Sequence, residues 1–437
     1  MGQFTVCVVL FCVCALQGVH SDEHGAKVVY QWNIVEYEWP NNTIKDQKIA
    51  SGAYQPRNSA INGIKLYKND IYVTVPRLMP GVPSTLNVVV KNESDFPILR
   101  PFPSWEMQEL ENCEALQRVQ SMEIDPHMGH MWIIDTGYRA NMSDIAINPL
   151  GKCPPKLIIY DLNKRQEVHR YIFPPTVAGT GLFYLNDIVL GFADGKARYA
   201  FISDTLAYKL VVYDYVENTS YAYSHPTMVA DRQYMNITIG NDTITAITGI
   251  NGIAMSPDFK YVYYSSVAGV GLHQIKTSVI VNAKGDNAAF AANVRTLGEK
   301  VAPGDGLAYG SNHNLYYSAL GPNAIFKWEV GKDAGSERDF DNVKLTSHSE
   351  LVSDSRMQWV DTMSIDEQGY LWYTTSRLNK LFSEAGVQHT EPNFFIWKIY
   401  VGERNYMYDR HGATQGAAGT VMSLTSMLIC VCMAYFL

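Results

Sequence analysis

Six short steps along the chain, each running from polar to apolar residues, begin stretches with the alternation of a β-strand. They lie between 54 and 66 residues apart, which is the spacing of a repeat. Their first residues are amides or carboxylates: Asn62, Gln120, Asn186, Asn251, Asp305 and Asp361. Two neighbours, Asp187 and Thr362, add a carboxylate and a hydroxyl. Such side chains hydrogen-bond ligands that carry hydroxyl or amine groups, and they offer the oxygen ligands that hard cations prefer.

The elements that position these residues form the repeat itself. The second strands read IYVTV, MWIID, YAFIS, YVYYS, LYYSA and LWYTT, and the third strands read LNVVV, LIIYD, LVVYD, LHQIK, IFKWE and FIWKI. Their β-branched and aromatic residues are typical of strands packed on both faces. A period of this size, with several strands in each unit, indicates a propeller. The sequence predicts an all-β, six-bladed β-propeller over residues 27–408, with about four strands per blade.

Closure of the ring depends on the segment before the first repeat. Val28–Trp39 has strand character, and we predict that it is the outer strand of the last blade, since an open propeller leaves strand edges exposed. Trp105–Gln117 is a candidate for one short surface helix. Inner strands border the central channel, so the six first residues should converge near one end of it as a binding site, which their neighbours Asp187 and Thr362 could join. The alternative is that they cap backbone groups and hold water.

Both ends of the sequence have the character of targeting segments. The apolar run Phe4–Leu16 predicts a signal peptide over residues 1–20. Residues 409–437 combine a small-residue spacer with the uncharged apolar run Val421–Leu437, which predicts a lipid-anchor signal. A membrane-spanning tail is the alternative, at the short end of the roughly 17–25 residues required. The candidate attachment residues are Gly412, Ala413 and Gly416–Gly419.

The cysteines and glycosylation sequons predict the same compartment. Cys113 and Cys153 are the only cysteines outside the two terminal segments, and in a secretory chain they most simply form one disulfide. Six sequons for N-glycosylation stand at Asn41, Asn92, Asn141, Asn218, Asn236 and Asn241. The sequence therefore predicts an extracellular protein, either secreted or tethered to the outer cell surface.

Charge and motifs exclude several classes of function. A net charge of −8 without a basic cluster argues against nucleic acid as a partner. The sequence contains no HExxH, GxSxG, Walker or CxxC motif, so the catalytic residues stay unknown and no cofactor is predicted. His127 and His130 are near enough for a metal pair, but they fall in a predicted hairpin turn that displays side chains to solvent. No metal site is predicted.

Longer blocks of the chain carry a family likeness. MEIDPHMGHMWIIDTG, CPPKLIIYDL, GIAMSPDFKYVYYSSVAG, GDGLAYGSNHNLYYSALGPNAIFKW and WVDTMSIDEQGYLWYTTSRL resemble the insect yellow and major royal jelly protein family, over about Val28 to Tyr408. The resemblance implies a secreted six-bladed propeller associated with cuticle pigmentation and melanin formation. Some members are similar to dopachrome conversion enzymes, others bind biogenic amines in the channel, and others are nutritive secretions. The hydrophobic tail departs from the soluble members and argues against a food-protein role.

Two functional hypotheses follow. In the first, the channel binds a small catechol- or indole-type amine or pigment precursor, with the ammonium drawn to Asp305 and Asp361 and the ring stacked on a channel Tyr or Phe. In the second, the protein is a dopachrome isomerase of the melanin pathway, which needs a positioned base and a charge-stabilising group. Asp187, Asp305 and Asp361 are the candidate bases, without an obvious partner. Because nothing in the sequence requires chemistry, binding is the preferred hypothesis.

Overall fold

A computed structural model describes residues 25–110, 112–137, 153–381 and 386–408 of the chain. The predicted signal peptide, the C-terminal tail with its candidate attachment residues, and the sequon at Asn141 lie outside these ranges. Across the described ranges, no helix has both the length and the apolar character needed to cross a membrane. Strands dominate, and the helices are short.

The first half of the ring follows strand β1 (Lys27–Trp32) and contains three antiparallel sheets of four consecutive strands, blades 1 to 3. Blade 1 has β2 (Ile64–Tyr67), β3 (Asp70–Thr74), β4 (Leu86–Lys91) and β5 (Pro97–Pro101). Blade 2 has β6 (Val119–Asp125), β7 (His130–Asp135), β8 (Lys156–Asp161) and β9 (Gln166–Ile172). Blade 3 has β10 (Leu185–Ala193), β11 (Lys196–Asp204), β12 (Lys209–Asp214) and β13 (Thr219–Ser224).

A separate hairpin precedes the second half of the ring, with β14 (Asn236–Ile239) and β15 (Asp242–Thr245). Blade 4 has β16 (Ile250–Met255), β17 (Tyr261–Ser266), β18 (Gly271–Lys276) and β19 (Arg295–Glu299). Blade 5 has β20 (Leu307–Tyr309), β21 (Leu315–Ala319), β22 (Ala324–Trp328) and β23 (His348–Ser353). Blade 6 contains β24 (Trp359–Ile365), β25 (Tyr370–Ser376) and β26 (Phe394–Tyr400).

The N-terminal strand completes blade 6. β1 pairs antiparallel with β26, so the strand order is β1-β26-β25-β24 and the ring closes on itself. A hydrogen bond from the Thr374 hydroxyl to the Asn62 carbonyl joins blade 6 to blade 1. The prediction of an all-β, six-bladed propeller closed by an N-terminal strand is confirmed. That strand ends at Trp32 and is shorter than predicted.

The helices all lie in connections: α1 (Asn42–Ala50), α2 (Thr277–Ala283), α3 (Asn287–Ala291), α4 (Val330–Asp333) and α5 (Leu378–Leu381). The prediction of a surface helix over residues 105–117 is wrong, since the described residues of this segment form only a three-residue 3-10 turn, Glu106–Gln108. The reason is that the buried Arg77 guanidinium donates to the carbonyls of Gln108, Leu116 and Gln117. These hydrogen bonds from Arg77 stabilise a compact loop instead of a helix.

Candidate functional site

The six polar residues that begin the inner strands line one cavity on the axis of the ring. The cavity has a volume of about 740 Å³ and lies at the end of the channel where the inner strands begin. Five of the six are at most 6% exposed, and Asn186 is half-buried. The set is Asn62, Gln120, Asn186, Asn251, Asp305 and Asp361. The structure therefore brings together residues that span 300 positions of sequence.

In three blades, a hydroxyl on the second strand forms hydrogen bonds both within its own blade and to the next blade. In blade 1, Thr74 Oγ1 accepts a hydrogen bond from Gly63 N (2.7 Å) and donates one to the carbonyl of Gln120 in blade 2 (2.8 Å). Ser203 in blade 3 and Thr374 in blade 6 make the equivalent pair of bonds. These bonds hold the first residues of neighbouring inner strands at the same level of the channel.

Bulges and glycines complete the ring of polar residues. In blades 2, 3, 4 and 6, the pairing between the first two strands is irregular at the polar step, and such a bulge re-aims side chains. After the polar residue, three blades carry a glycine that touches the next blade. A Cβ on Gly252 would lie 2.2 Å from the Asp305 carbonyl oxygen, and a Cβ on Gly306 would lie 2.3 Å from that of Asp361. The repeated Asn-Gly and Asp-Gly steps are the sequence signal for this contact.

Two buried carboxylates dominate the electrostatics of the cavity. Asp305 Oδ2 accepts a hydrogen bond from Trp359 Nε1 (2.6 Å), and Asp361 Oδ2 accepts one from Asn62 Nδ2 (2.8 Å). Burial raises the pKa of Asp361 to about 7. Burial, together with the negative charge of Asp361, raises the pKa of Asp305 well above its usual range. The pair therefore retains a proton near neutral pH unless a cation stabilises it.

A buried lysine lies behind this pair, and sequence reasoning missed it. Lys300 follows β19 and donates from Nζ to Ser265 Oγ (3.0 Å). Burial lowers the pKa of Lys300 to about 7, while the nearby Asp305 acts against this shift. Lys300 is thus only a partial counter-charge for the carboxylates at neutral pH.

Asp187 lies one level deeper in the channel. Its carboxylate accepts hydrogen bonds from Ser121 Oγ (3.1 Å) and from the Ile188 backbone (2.9 Å), and burial raises its pKa. With the buried ion pair Lys65–Glu123 (2.9 Å), it lines a second cavity of about 20 Å³. A space of that size holds roughly one water molecule. Asp187 therefore faces a different cavity from the six residues above it.

Thr362 has a supporting position. Its Oγ1 donates to Asp361 Oδ1 (3.1 Å), and its backbone N donates to the hydroxyl of Thr374 (3.4 Å). It therefore orients Asp361, which lines the large cavity.

The far end of the channel is closed by the C-terminal segment 403–407. Tyr406 is buried, and its Oη accepts a hydrogen bond from the Leu190 backbone (2.8 Å). His127 Nε2 donates to the Met407 carbonyl (2.9 Å), whereas His130 lies 3.8 Å from Asp161. The two histidines therefore contact different partners.

The near end of the cavity is bounded by the hairpin β14–β15, helix α5 and the loop that precedes β10. Asn379 on α5 donates to Asp242 on the hairpin (3.0 Å), and Tyr208 Oη donates to the Ile247 carbonyl (2.8 Å). Large apolar side chains line this part of the cavity: Leu78, Leu182, Leu206, Ile244, Ile247 and Leu378. The position of this hairpin over the channel was not predicted from the sequence.

Two aromatic residues also line the cavity, and both are hydrogen-bonded to the polar ring. Tyr184 Oη donates to Gln120 Oε1 (2.7 Å), and Trp359 Nε1 donates to Asp305. The lining of this cavity thus contains a tyrosine and a tryptophan, and the stacking of a ligand ring on a channel Tyr or Phe stays a prediction.

The cysteines and the described sequons lie outside the cavity, apart from one sequon at its rim. Cys113 and Cys153 form a disulfide with their Cα atoms 5.1 Å apart, which is the pair that the sequence predicts. Five sequon asparagines are exposed: Asn41, Asn92, Asn218, Asn236 and Asn241. The last two belong to the hairpin, and Asn241 borders the cavity.

A closed ring of six antiparallel sheets with a cavity on its axis defines a six-bladed β-propeller. The sequence profile described as major royal jelly protein matches residues 117–406, so the chain belongs to the major royal jelly protein family. The family membership inferred from the motifs is confirmed, and with it a yellow-type propeller protein.

Individual relatives are distant. Major royal jelly protein 8 of Apis mellifera is 26% identical over 326 residues, which cover 72% of this chain and 75% of the relative. Protein yellow of Drosophila melanogaster is 28% identical over 261 residues, which cover 57% and 47%. The matched part thus spans about half the length of protein yellow. Among solved structures, a luciferin-regenerating enzyme is 10% identical with a TM-score of 0.45, over 87% of this chain and 97% of that one.

Proposed function

We propose that this yellow-type propeller binds a small catechol- or indole-type amine or pigment precursor in its axial cavity. The observation that carries the proposal is the convergence of six polar residues, two of them buried carboxylates, on one cavity of about 740 Å³. Concave sites with a few convergent polar groups are the usual places for small ligands.

The charge of the ligand follows from the carboxylate pair. Asp305 and Asp361 share one cavity, and burial raises both pKa values. An ammonium group between them would replace the retained proton and form charge-assisted hydrogen bonds. Trp359 and Tyr184 would contact the aromatic ring, which favours a cation that carries such a ring.

The link to cuticle pigmentation and melanin formation rests on the yellow relatives. Catechol and indole amines belong to the chemistry of melanin, so a site for an aromatic cation supports the proposal. The alternative is a dopachrome-converting isomerase. One observation favours it: Asp361, whose pKa burial raises to about 7, can take up and return a proton at physiological pH.

Calorimetric titration of the ectodomain with dopamine and serotonin tests the binding proposal. Catechol and indole without the amine serve as matched controls, and we expect them to bind at least tenfold more weakly, because a charged hydrogen bond contributes about 1.5–3 kcal/mol. Equal affinity for charged and uncharged ligands would refute the role of the carboxylates. Freshly prepared dopachrome separates the alternative: loss of its visible absorbance faster than in a blank would establish an isomerase.

We also propose that the mature protein acts outside the cell. The disulfide and the exposed sequon asparagines support this location. Expression in insect cells should deliver a glycosylated protein to the medium or to the outer cell surface. A phosphatidylinositol-specific phospholipase should release a lipid-anchored form, whereas a spanning tail would resist it. Protein that stays in the cytosol without glycans would contradict the proposal.

A further inference from the structure

Apolar side chains line the axial cavity beyond its buried polar ring. The polar ring at the bottom is buried, with Asp305 at 6% and Asp361 at 4% exposure. The apolar side chains at the rim reach solvent, with Leu182 at 48% and Ile247 at 49% exposure. Isolated exposed apolar residues are common on protein surfaces. These two line the same cavity as the less exposed Leu206 and Leu378, so apolar side chains form a wall that reaches the rim, beside the polar hairpin residues Asn241, Asp242 and Thr243.

The apolar wall is a built part of the fold. The Asn379–Asp242 hydrogen bond attaches the hairpin to α5, and Tyr208 holds the backbone at Ile247. On the hairpin, Ile237 and Ile239 belong to the same buried apolar cluster as Trp359, which in turn donates to Asp305. The hairpin therefore holds the upper wall over the carboxylate pair.

The volume exceeds what a single-ring amine requires. The cavity has a volume of about 740 Å³. It lies within the roughly 300–1,000 Å³ typical of sites for drug-sized ligands. A dopamine-sized molecule at the carboxylates would leave the upper wall in contact with water.

We infer that the ligand is an amphipathic amine, with one cationic head between Asp305 and Asp361 and an extended apolar body against the wall that ends at Ile247 and Leu182. This inference rests on the proposed function, because it uses the same carboxylates for the amine. It extends the ligand class from single-ring amines to amines that carry a longer apolar group.

A homologous series of primary n-alkylammonium ions, from butyl to decyl and below their micellar concentrations, tests the length of the apolar site. Each added methylene should raise the affinity about three- to fourfold by calorimetry until the chain reaches the rim. Dopamine and serotonin serve as head-group references and should bind more weakly than the longest members. An affinity independent of chain length, or tightest for dopamine, would overturn the inference and leave the proposed function standing. If no amine binds, both fail.

Two variants locate the apolar body. Ile247→Asn should reduce the gain per methylene for the longest members of the series, because it places an amide in the wall. Val216→Asn is the matched control: Val216 is 66% exposed in the loop between β12 and β13, and this variant should follow the wild-type series. A melting curve for each variant verifies folding. The same response from both variants would overturn the inference.

Discussion

Replacing Asp305 with asparagine should shift ligand affinity and protein stability in opposite directions. The substitution preserves shape, and the amide oxygen can still accept the hydrogen bond from Trp359 Nε1. What it removes is one negative charge of the buried pair. The partner Asp361 keeps its bonds from Asn62 and Thr362. The variant therefore tests the charge separately from the packing.

The loss of affinity can be worked out from the contact. A hydrogen bond between an ammonium and a carboxylate contributes about 1.5–3 kcal/mol, so Asp305→Asn should weaken amine binding roughly ten- to a hundredfold. This loss of affinity should be greatest above about pH 7, because Asp361 is then deprotonated and no proton competes with the amine. At lower pH, the proton competes with the amine and the difference between variant and wild type narrows.

The stability should rise, because burial raises the pKa of both carboxyl groups above the usual 3.8. The folded protein then binds more protons than the unfolded chain between about pH 4 and about pH 7. This contribution to stability is complete below that window and is lost as the pH rises through it. At about 1.4 kcal/mol per pKa unit, the penalty at Asp361 reaches at most about 4 kcal/mol.

Asp361 stays buried in the variant, so Asp305→Asn removes only part of the total penalty. We therefore expect Asp305→Asn to recover about 1–2 kcal/mol at about pH 8, which corresponds to a rise in Tm of a few degrees. Calorimetric titration with dopamine and melting curves at about pH 6 and about pH 8 measure both effects. Asp95→Asn, which removes an exposed turn carboxylate, is the matched control. A variant with a lower Tm and unchanged affinity would show that Asp305 only supports the ring.

Three further predictions follow from the same geometry. Because burial raises the pKa of Asp361 to about 7, amine affinity should fall by up to tenfold per pH unit as the pH drops below about 7. Calorimetric titration in buffers of different ionisation enthalpy should detect the proton that the amine displaces, and binding without proton release would contradict this prediction. Gly306→Ala should destabilise the protein by about 1–3 kcal/mol, since the added Cβ would meet the backbone carbonyl of Asp361. Gly269→Ala is the control and should be nearly neutral, because the nearest atom to its added Cβ is 3.4 Å away. Equal unfolding midpoints of the two variants in urea would count against the contact. Cys113 and Cys153 should resist alkylation until reduction, which should cost about 3–4 kcal/mol of stability, and two free thiols in the unreduced mass spectrum would disprove the bond.

The propeller was predictable because its repeat is local in sequence. Each blade has its own alternating inner strand and its own aromatic second strand, so the six units can be counted without long-range information. The positions of Asn62 and Asp361, 299 residues apart and hydrogen-bonded in the structure, follow from ring closure alone. A closed ring makes equivalent residues neighbours whatever their separation in the chain.

The upper half of the site was not predictable in this way. The hairpin NITIGNDTIT alternates like any short strand pair, and its place above the channel depends on packing against Trp359 and α5. Lys300 follows β19 in a loop, and its proximity to Asp305 is a property of the folded connection. The loop over residues 105–117 shows the same limit. Its sequence favoured a helix, but hydrogen bonds from the buried Arg77 guanidinium, which is distant in sequence, stabilise a loop instead.

The neighbours Asn186 and Asp187 line different cavities of the channel, and the simple alternation of a strand does not predict this arrangement. In a regular strand, adjacent side chains point to opposite faces, so only one of the two should face the channel. The pairing of β10 with β11 is irregular between Leu185 and Ile188, and this bulge directs both residues inward at different depths. The same irregularity in three other blades makes the polar step a structural device that is repeated around the ring. In blades 2, 3 and 6, two polar residues at the start of an otherwise apolar inner strand are its sequence signature, whereas in blade 4 the second of the two is Gly252.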